Sequence, residues 1–212
     1  MTTTEEQYNN YLSFLLSGNK TECTKIIREL IDQKIAVKDL YLNFFQRSMY
    51  QVGSLWEHNK ISVAVEHMAT AMTESLLNLA YPLIFSAEHC GKSAIISCVT
   101  KEYHQIGAKM VADIFELNGW DGYFVGANTP TDELLKMIDD KKPDVLALSM
   151  SLYFSLRWME EMLQAVSATH PKLDIIVGGQ GFLWGGLDTL KKYPQVEYVD
   201  SIIKLEQLIK KG

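Results

Sequence analysis

Near residue 90 the apolar residues change their period, and that change constrains the fold more than any other feature of this chain. Before it, they recur at intervals of three and four. Tyr8, Tyr11, Leu12 and Leu15 form one stripe, and after Gly18-Asn19 come Cys23, Ile26, Ile27, Leu30 and Ile31. Leu40, Phe44, Met49 and Val52 form the next, and 61–84 is apolar on most faces. The first ninety residues hold two glycines and a single proline near their end, so the pattern predicts a bundle of four or five helices. After the change come short β-branched runs at 94–99, 122–126, 144–150, 173–179 and 196–202. Amphipathic helical patterns separate them at 105–118, 131–140, 155–168 and 183–192, with a last helix at 203–211. Strands alternating with helices predict a five-stranded, doubly wound parallel sheet. The expected division is a helical domain over 1–88 and an α/β domain over 92–212, joined through "SAEHCGK" at 86–92.

Composition narrows the classes of function. The 212 residues are 47% hydrophobic and 22% charged, as expected of a packed globular protein. A formal charge of −6, with only isolated lysine pairs at 141–142 and 191–192, argues against direct nucleic-acid binding. Cys23, Cys90 and Cys98 show no Cys-x-x-Cys spacing, which suits a reducing cytoplasm and offers neither a disulfide framework nor a zinc site. The polar, acidic start "MTTTEEQYNN" is unlike a signal peptide. The apolar stretch "SLLNLAYPLIFSA" is shorter than the roughly 18 residues of a membrane span, so a soluble cytoplasmic protein is expected.

Ligands of an open α/β sheet bind outside the carboxyl ends of its strands. Glu102, Tyr103, His104 and Gly107 follow the first expected strand, Ser149 closes the third, and Gly178-Gly179 closes the fourth. Alone, His104 reads as a solvated loop histidine. With a carboxylate at i−2, Glu102 could hold one ring nitrogen and make the other a better metal ligand. One imidazole so held suits a single axial bond to a metal already seated in a macrocycle, not zinc, which needs three or four protein ligands. The glycine pair is either a plain turn or a Cβ-free surface for a bulky group, and Ser149 is either an ordinary strand end or part of that surface. No Gly-x-x-x-x-Gly-Lys or Gly-x-Gly-x-x-Gly follows the first strand.

The intervals join these features. Glu102-x-His104-x-x-Gly107 is followed by 41 residues, then Ser149-Met150-Ser151, then 26 residues, then Gly178-Gly179. This pattern resembles the cobalamin-binding fingerprint Asp-x-His-x-x-Gly, Ser-x-Leu, Gly-Gly, with similar intervals, and "VGANTP" at 125–130 looks like that family's second-strand loop. The resemblance implies a flavodoxin-like (Rossmann-like) domain in which His104 is the lower axial cobalt ligand. Ser149, Ser151 and the glycine pair would line the slot for the displaced nucleotide tail. Glu102 stands where the fingerprint has Asp, and Ser151 where it has Leu.

In the helical half, Trp56 is followed by nine residues and then Glu66-His67. By itself Trp56 reads as a core aromatic and Glu66-His67 as a buried hydrogen-bonded pair. Ahead of a cobalamin domain, the segment resembles the cap of adenosylcobalamin-dependent light-responsive regulators, which also favour Glu-x-His-x-x-Gly. That likeness implies corrin held between cap and α/β domain, Trp56 over its upper face, and Glu66 and His67 against an adenosyl group. Such regulators can carry a histidine directly after the tryptophan. Here Glu57 holds that position and His58 lies about 100° further round the helix.

Three functions follow from the resemblance. The first is a light- or ligand-responsive sensory module, favouring adenosylcobalamin and signalling through a partner protein because no helix-turn-helix-like segment precedes the bundle. The second is a corrinoid methyl carrier, using methylcobalamin and a methyltransferase partner. The third is a storage or delivery protein, or a domain that has lost its cofactor. A homo-oligomer is compatible with each. His89 and His170 are expected in solvated loops and Cys98 in the core.

Overall fold

Helix α1 (Glu5–Leu16) turns Tyr8, Tyr11 and Leu15 inward, and α2 (Lys20–Asp32) adds Cys23, Ile27 and Leu30. Asn19 caps α2 by accepting a hydrogen bond from the Glu22 N–H at 3.2 Å. The next helix is one continuous rod in three parts: α3 (Val37–Leu40), a π-helical turn (Tyr41–Gln46) and α4 (Arg47–Glu57). The π turn buries Tyr41, Phe44 and Phe45 together, and Tyr11 meets the Phe44 ring edge-on at 5.5 Å. Removing a buried ring of this kind, as in Phe44→Ala, costs about 3–5 kcal/mol. Ser62 caps α5 (Val63–Leu77), which runs through a 3-10 turn into α6 (Tyr81–Ile84).

This computed structural model describes residues 5–85 and 88–210, and the chain divides into two compact units, Met1–Ser86 and Ala87–Gly212. The expected linker at 86–92 begins on residues outside the described ones, as does the last residue of the helix expected at 203–211.

The second unit is a parallel sheet in the order β2-β1-β3-β4-β5. Its strands are β1 (Ser93–Cys98), β2 (Asp121–Gly126), β3 (Val145–Ser149), β4 (Asp174–Gly178) and β5 (Val196–Tyr198). Helices α7 (Ile106–Leu117), α8 (Thr131–Lys141), α9 (Leu156–Thr169), α10 (Leu187–Leu190) and α11 (Ile202–Ile209) connect and flank them. Helix α7 packs on α11, and α8 packs on α9. Buried on both faces, the central strands read as continuous apolar runs rather than alternating ones, as parallel sheets require. Leu134, Ile138, Met159, Leu163 and Val166 join Ile95, Leu146, Leu148 and Val177 in one core. The order is the flavodoxin-like one that the alternation of elements predicts.

Two elements differ from expectation. The helix at 183–192 is replaced by a 3-10 turn (Gln180–Trp184) and the short α10, because left-handed Gly185 (φ 131°) and Gly186 (φ 94°) split the segment. The fifth strand stops at Tyr198 because Ser201 starts α11, its hydroxyl accepting from the Lys204 N–H at 3.3 Å. Among the described residues, no helix is long and apolar enough to cross a membrane.

Candidate functional site

Strand β1 ends at Cys98 and α7 begins at Ile106, so the loop between them lies at the carboxyl edge of the sheet. Glu102 in that loop has a side chain with no exposure, whereas the His104 side chain is 53% exposed. Glu102 Oε1 lies 2.6 Å from His104 Nδ1 and also accepts the His104 backbone N–H at 3.0 Å. Its Oε2 accepts the N–H groups of Ser151 and Leu152 at 3.0 and 3.1 Å. Four contacts on two oxygens meet the demand of a buried carboxylate. Burial by itself raises the Glu102 pKa, but the hydrogen bonds from His104 and Leu152 and the imidazole's charge outweigh it and hold the carboxyl below its ordinary range. An ionised Glu102 accepts the proton on Nδ1, so a neutral ring carries its lone pair on Nε2, the nitrogen that a metal could take.

The loop itself is tied to the one that follows β2. Thr100 Oγ1 donates to the Thr129 carbonyl at 3.0 Å, and Ser97 and Thr129 hydroxyls lie 2.9 Å apart. Asn128 Oδ1 accepts the Lys101 N–H at 2.8 Å, and the Asn128 N–H donates to the Glu102 carbonyl at 2.9 Å. Fully buried Cys98 donates a weak S–H bond to the His104 carbonyl at 3.7 Å. Lys101 Nζ sits 4.4 Å over the Trp158 ring. Of these partners, the sequence pattern pointed only to the 125–130 segment as a whole.

The other expected residues fall as follows. Tyr103 is 68% exposed, and Gly107 in the first turn of α7 is exposed, with nothing within 4 Å of where a Cβ would stand. Ser149 pairs with Cys98 on one side and Gly178 on the other. Ser151 takes part through its backbone, so its identity is not what the Glu102 contact reads. At Gly178 a Cβ would meet the Val199 carbonyl oxygen at 2.8 Å, and at Gly179 (φ 110°) it would run into the Met150 carbonyl. The chain's own packing therefore already demands both glycines, whatever else they accommodate.

Trp56, Glu66 and His67 belong to the first unit. Trp56 is 47% exposed on α4, near the end that His58 caps with its Nδ1 2.7 Å from the Ser54 carbonyl. Glu66 and His67 are neighbours on α5. The Glu66 side chain is 17% exposed and accepts from Thr70 Oγ1 at 3.0 Å, while that of His67 is 75% exposed. Helices α4 and α5 pack together. His89 lies exposed in a loop, as expected, with its Nδ1 2.7 Å from Asp121, whereas His170 is partly covered and has its Nε2 3.0 Å from Asp139.

Among the described residues, no group of three or more His, Cys, Asp and Glu could hold a metal ion. A lone imidazole, oriented by a buried carboxylate beside an open glycine, fits a metal whose remaining ligands come from a macrocycle. A flavodoxin-like sheet with such a histidine at its carboxyl edge defines a class of α/β cofactor-binding domains. This chain belongs to the B12-binding family: a B12 binding domain matches residues 92–201, and a second B12 binding domain matches residues 7–81. The family indicates a cobalamin or related corrinoid as the cofactor.

Similar proteins span both regulation and methyl transfer. The chain is 26% identical over 122 residues to the HTH-type transcriptional repressor CarA of Myxococcus xanthus, covering 58% of this chain and 42% of that protein. It is 27% identical over 135 residues to methionine synthase of Mycobacterium tuberculosis, covering 62% and 11%. It thus spans less than half the length of either. The monomethylamine corrinoid protein of Methanosarcina barkeri has the same fold, with a TM-score of 0.83 and 13% identity over 99% of this chain and 100% of that one. The methanol:cobalamin methyltransferase complex MtaBC of M. barkeri matches with a TM-score of 0.53 and 14% identity, over 99% and 80%.

Proposed function

We propose that this chain binds cobalamin with His104 as the lower axial ligand and acts as a sensory module in the cytoplasm, passing its state to a partner protein or a second copy of itself. The observation that carries the axial role is the 2.6 Å contact between buried Glu102 and the half-exposed His104 ring. Glu102 orients the imidazole and keeps its outward nitrogen basic, while Tyr103 and Gly107 flank the ligand. Ser149, Ser151, Gly178 and Gly179 would border the displaced nucleotide tail.

The sensory role rests on the first unit. A bound alkylcobalamin supplies a weak cobalt–carbon bond that light or a nucleophile can break. Trp56 would shield that bond, and Glu66 and His67 would read the group attached to it. An adenosyl group offers hydroxyls and ring nitrogens to a carboxylate and an imidazole; a methyl group offers them nothing. This favours adenosylcobalamin. Likeness in sequence to a transcriptional repressor points the same way. A second reading, a methyl carrier serving a methyltransferase, is favoured by the likeness to the monomethylamine corrinoid protein along both full lengths.

The experiment is reconstitution of the protein with adenosyl- and methylcobalamin in darkness, with spectra and gel filtration before and after green light. Selective adenosylcobalamin binding and a light-dependent change in size support the sensor. Tight methylcobalamin binding that a methyltransferase discharges supports the carrier instead. His104→Ala should abolish the base-off, His-on spectrum, and Trp56→Ala should weaken discrimination between the two forms.

A further inference from the structure

We infer that Asn128 is a positioning residue for His104, holding in place the short segment that presents the imidazole. The inference rests on the reading of His104 as the axial ligand. Glu102 fixes the ring, but the backbone carrying both residues needs an anchor of its own. Asn128 supplies one from the neighbouring loop. Its side-chain oxygen accepts the Lys101 N–H at 2.8 Å, and its own N–H donates to the Glu102 carbonyl at 2.9 Å. The two bonds grip the peptide units on either side of Lys101–Glu102, two residues before His104.

The backbone geometry shows that this grip is built rather than incidental. Lys101 and Asn128 are both in the left-handed region, with φ of 63° and 51°. Asparagine tolerates that conformation better than most residues, but lysine has no such ease. Something must hold Lys101 there, and the Asn128 oxygen bonds its N–H directly. The Lys101 side chain is held as well, over Trp158. The hydroxyl bonds from Thr100 to Thr129 and from Ser97 to Thr129 zip the same loops further from His104.

The test compares Asn128→Gly, Asn128→Asp and Thr100→Val in the full chain. Glycine accepts the backbone conformation and keeps the N–H to Glu102, but deletes the side-chain oxygen. Aspartate keeps an acceptor. In hydroxocobalamin-loaded protein, Asn128→Gly should lower the ratio of His-on to His-off forms roughly three- to ten-fold, as expected for one lost hydrogen bond. Asn128→Asp should stay near wild type, and so should Thr100→Val. A cofactor-free readout separates this inference from the axial-ligand reading. Lys101 amide hydrogen exchange in the apo protein should speed up by a similar factor in Asn128→Gly and not in Asn128→Asp. If wild type binds cobalamin without a His-on spectrum, the axial reading fails and amide exchange alone decides the anchor. An unchanged ratio of His-on to His-off forms or unchanged Lys101 exchange in Asn128→Gly overturns the inference, as does an equal loss in Thr100→Val. Asn128→Ser, too short to reach Lys101, replaces the glycine variant if that one does not fold.

Discussion

Glu102 joins two loops through one carboxylate: Oε1 lies 2.6 Å from His104 Nδ1, and Oε2 takes the Leu152 N–H at 3.1 Å. Glu102→Gln should destabilise the apo protein by about 1–3 kcal/mol, because whichever way the amide turns, its NH2 faces backbone N–H donors. Urea denaturation measures this, and a loss within error of zero would show the bridge to be unimportant to the fold.

The same carboxylate sets an acid limit. Its folded-state pKa is depressed, so its contribution is fully present above the unfolded value of about 4.3 and is lost as pH falls through the folded value. The stability gap between wild-type apo protein and Glu102→Gln should therefore shrink below about pH 4. A gap of constant size down to pH 3 would contradict the assignment.

The three cysteines should differ sharply toward an alkylating reagent. Cys90 is exposed, while burial pushes the Cys23 thiol up to about 11. Burial, with a smaller effect of the Glu102 charge, pushes Cys98 up to about 12. At pH 8 only Cys90 should react rapidly in the native state, and all three in denaturant. Mass spectrometry of the labelled peptides checks this, and rapid native labelling of Cys98 would be incompatible with its place in β1.

Gly179→Ala and Gly107→Ala should act in opposite directions on the apo protein. At Gly179 the left-handed φ and the Met150 carbonyl leave no place for a methyl group, and a loss of about 2–4 kcal/mol is expected. Gly107 lies in a helix with open space, so alanine there should stabilise by up to about 1 kcal/mol. Thermal melts give both. If the open space beside His104 belongs to the corrinoid, Gly107→Ala should also weaken cobalamin binding; unchanged affinity would remove Gly107 from the site.

Much of this was legible in the sequence because it is local or periodic. The shift from a helical stripe to β-branched runs placed all five strands, and the i−2 spacing paired Glu102 with His104. What escaped was long-range or conformational. The second oxygen of Glu102 bonds residues some fifty positions away, through backbone groups that no residue type announces. At 183–192 the adjacent Gly185 and Gly186 were a turn signal inside the helical pattern, and their positive φ angles are what split the segment. The glycine pair at 178–179 looked like a berth for a ligand, yet each faces a carbonyl of its own chain. Asn128 falls within the 125–130 segment, but its two bonds exist only once β1 and β2 lie side by side.

The π turn at Tyr41–Gln46 carries a consequence for how such proteins can vary. A wide turn of this kind accommodates one residue more than the α-helix around it needs. Deleting a single residue there would restore regular helix and leave what lies beyond it in nearly its present rotational phase, whereas a deletion in the regular helix after it would rotate all that follows by roughly 100°. Trp56 lies ten positions past the turn on that rod. A one-codon deletion within α4 ahead of Trp56 would thus re-aim the indole, while the same loss inside the turn would be absorbed, making this turn the place on the rod where a residue can be lost without changing what the helix presents.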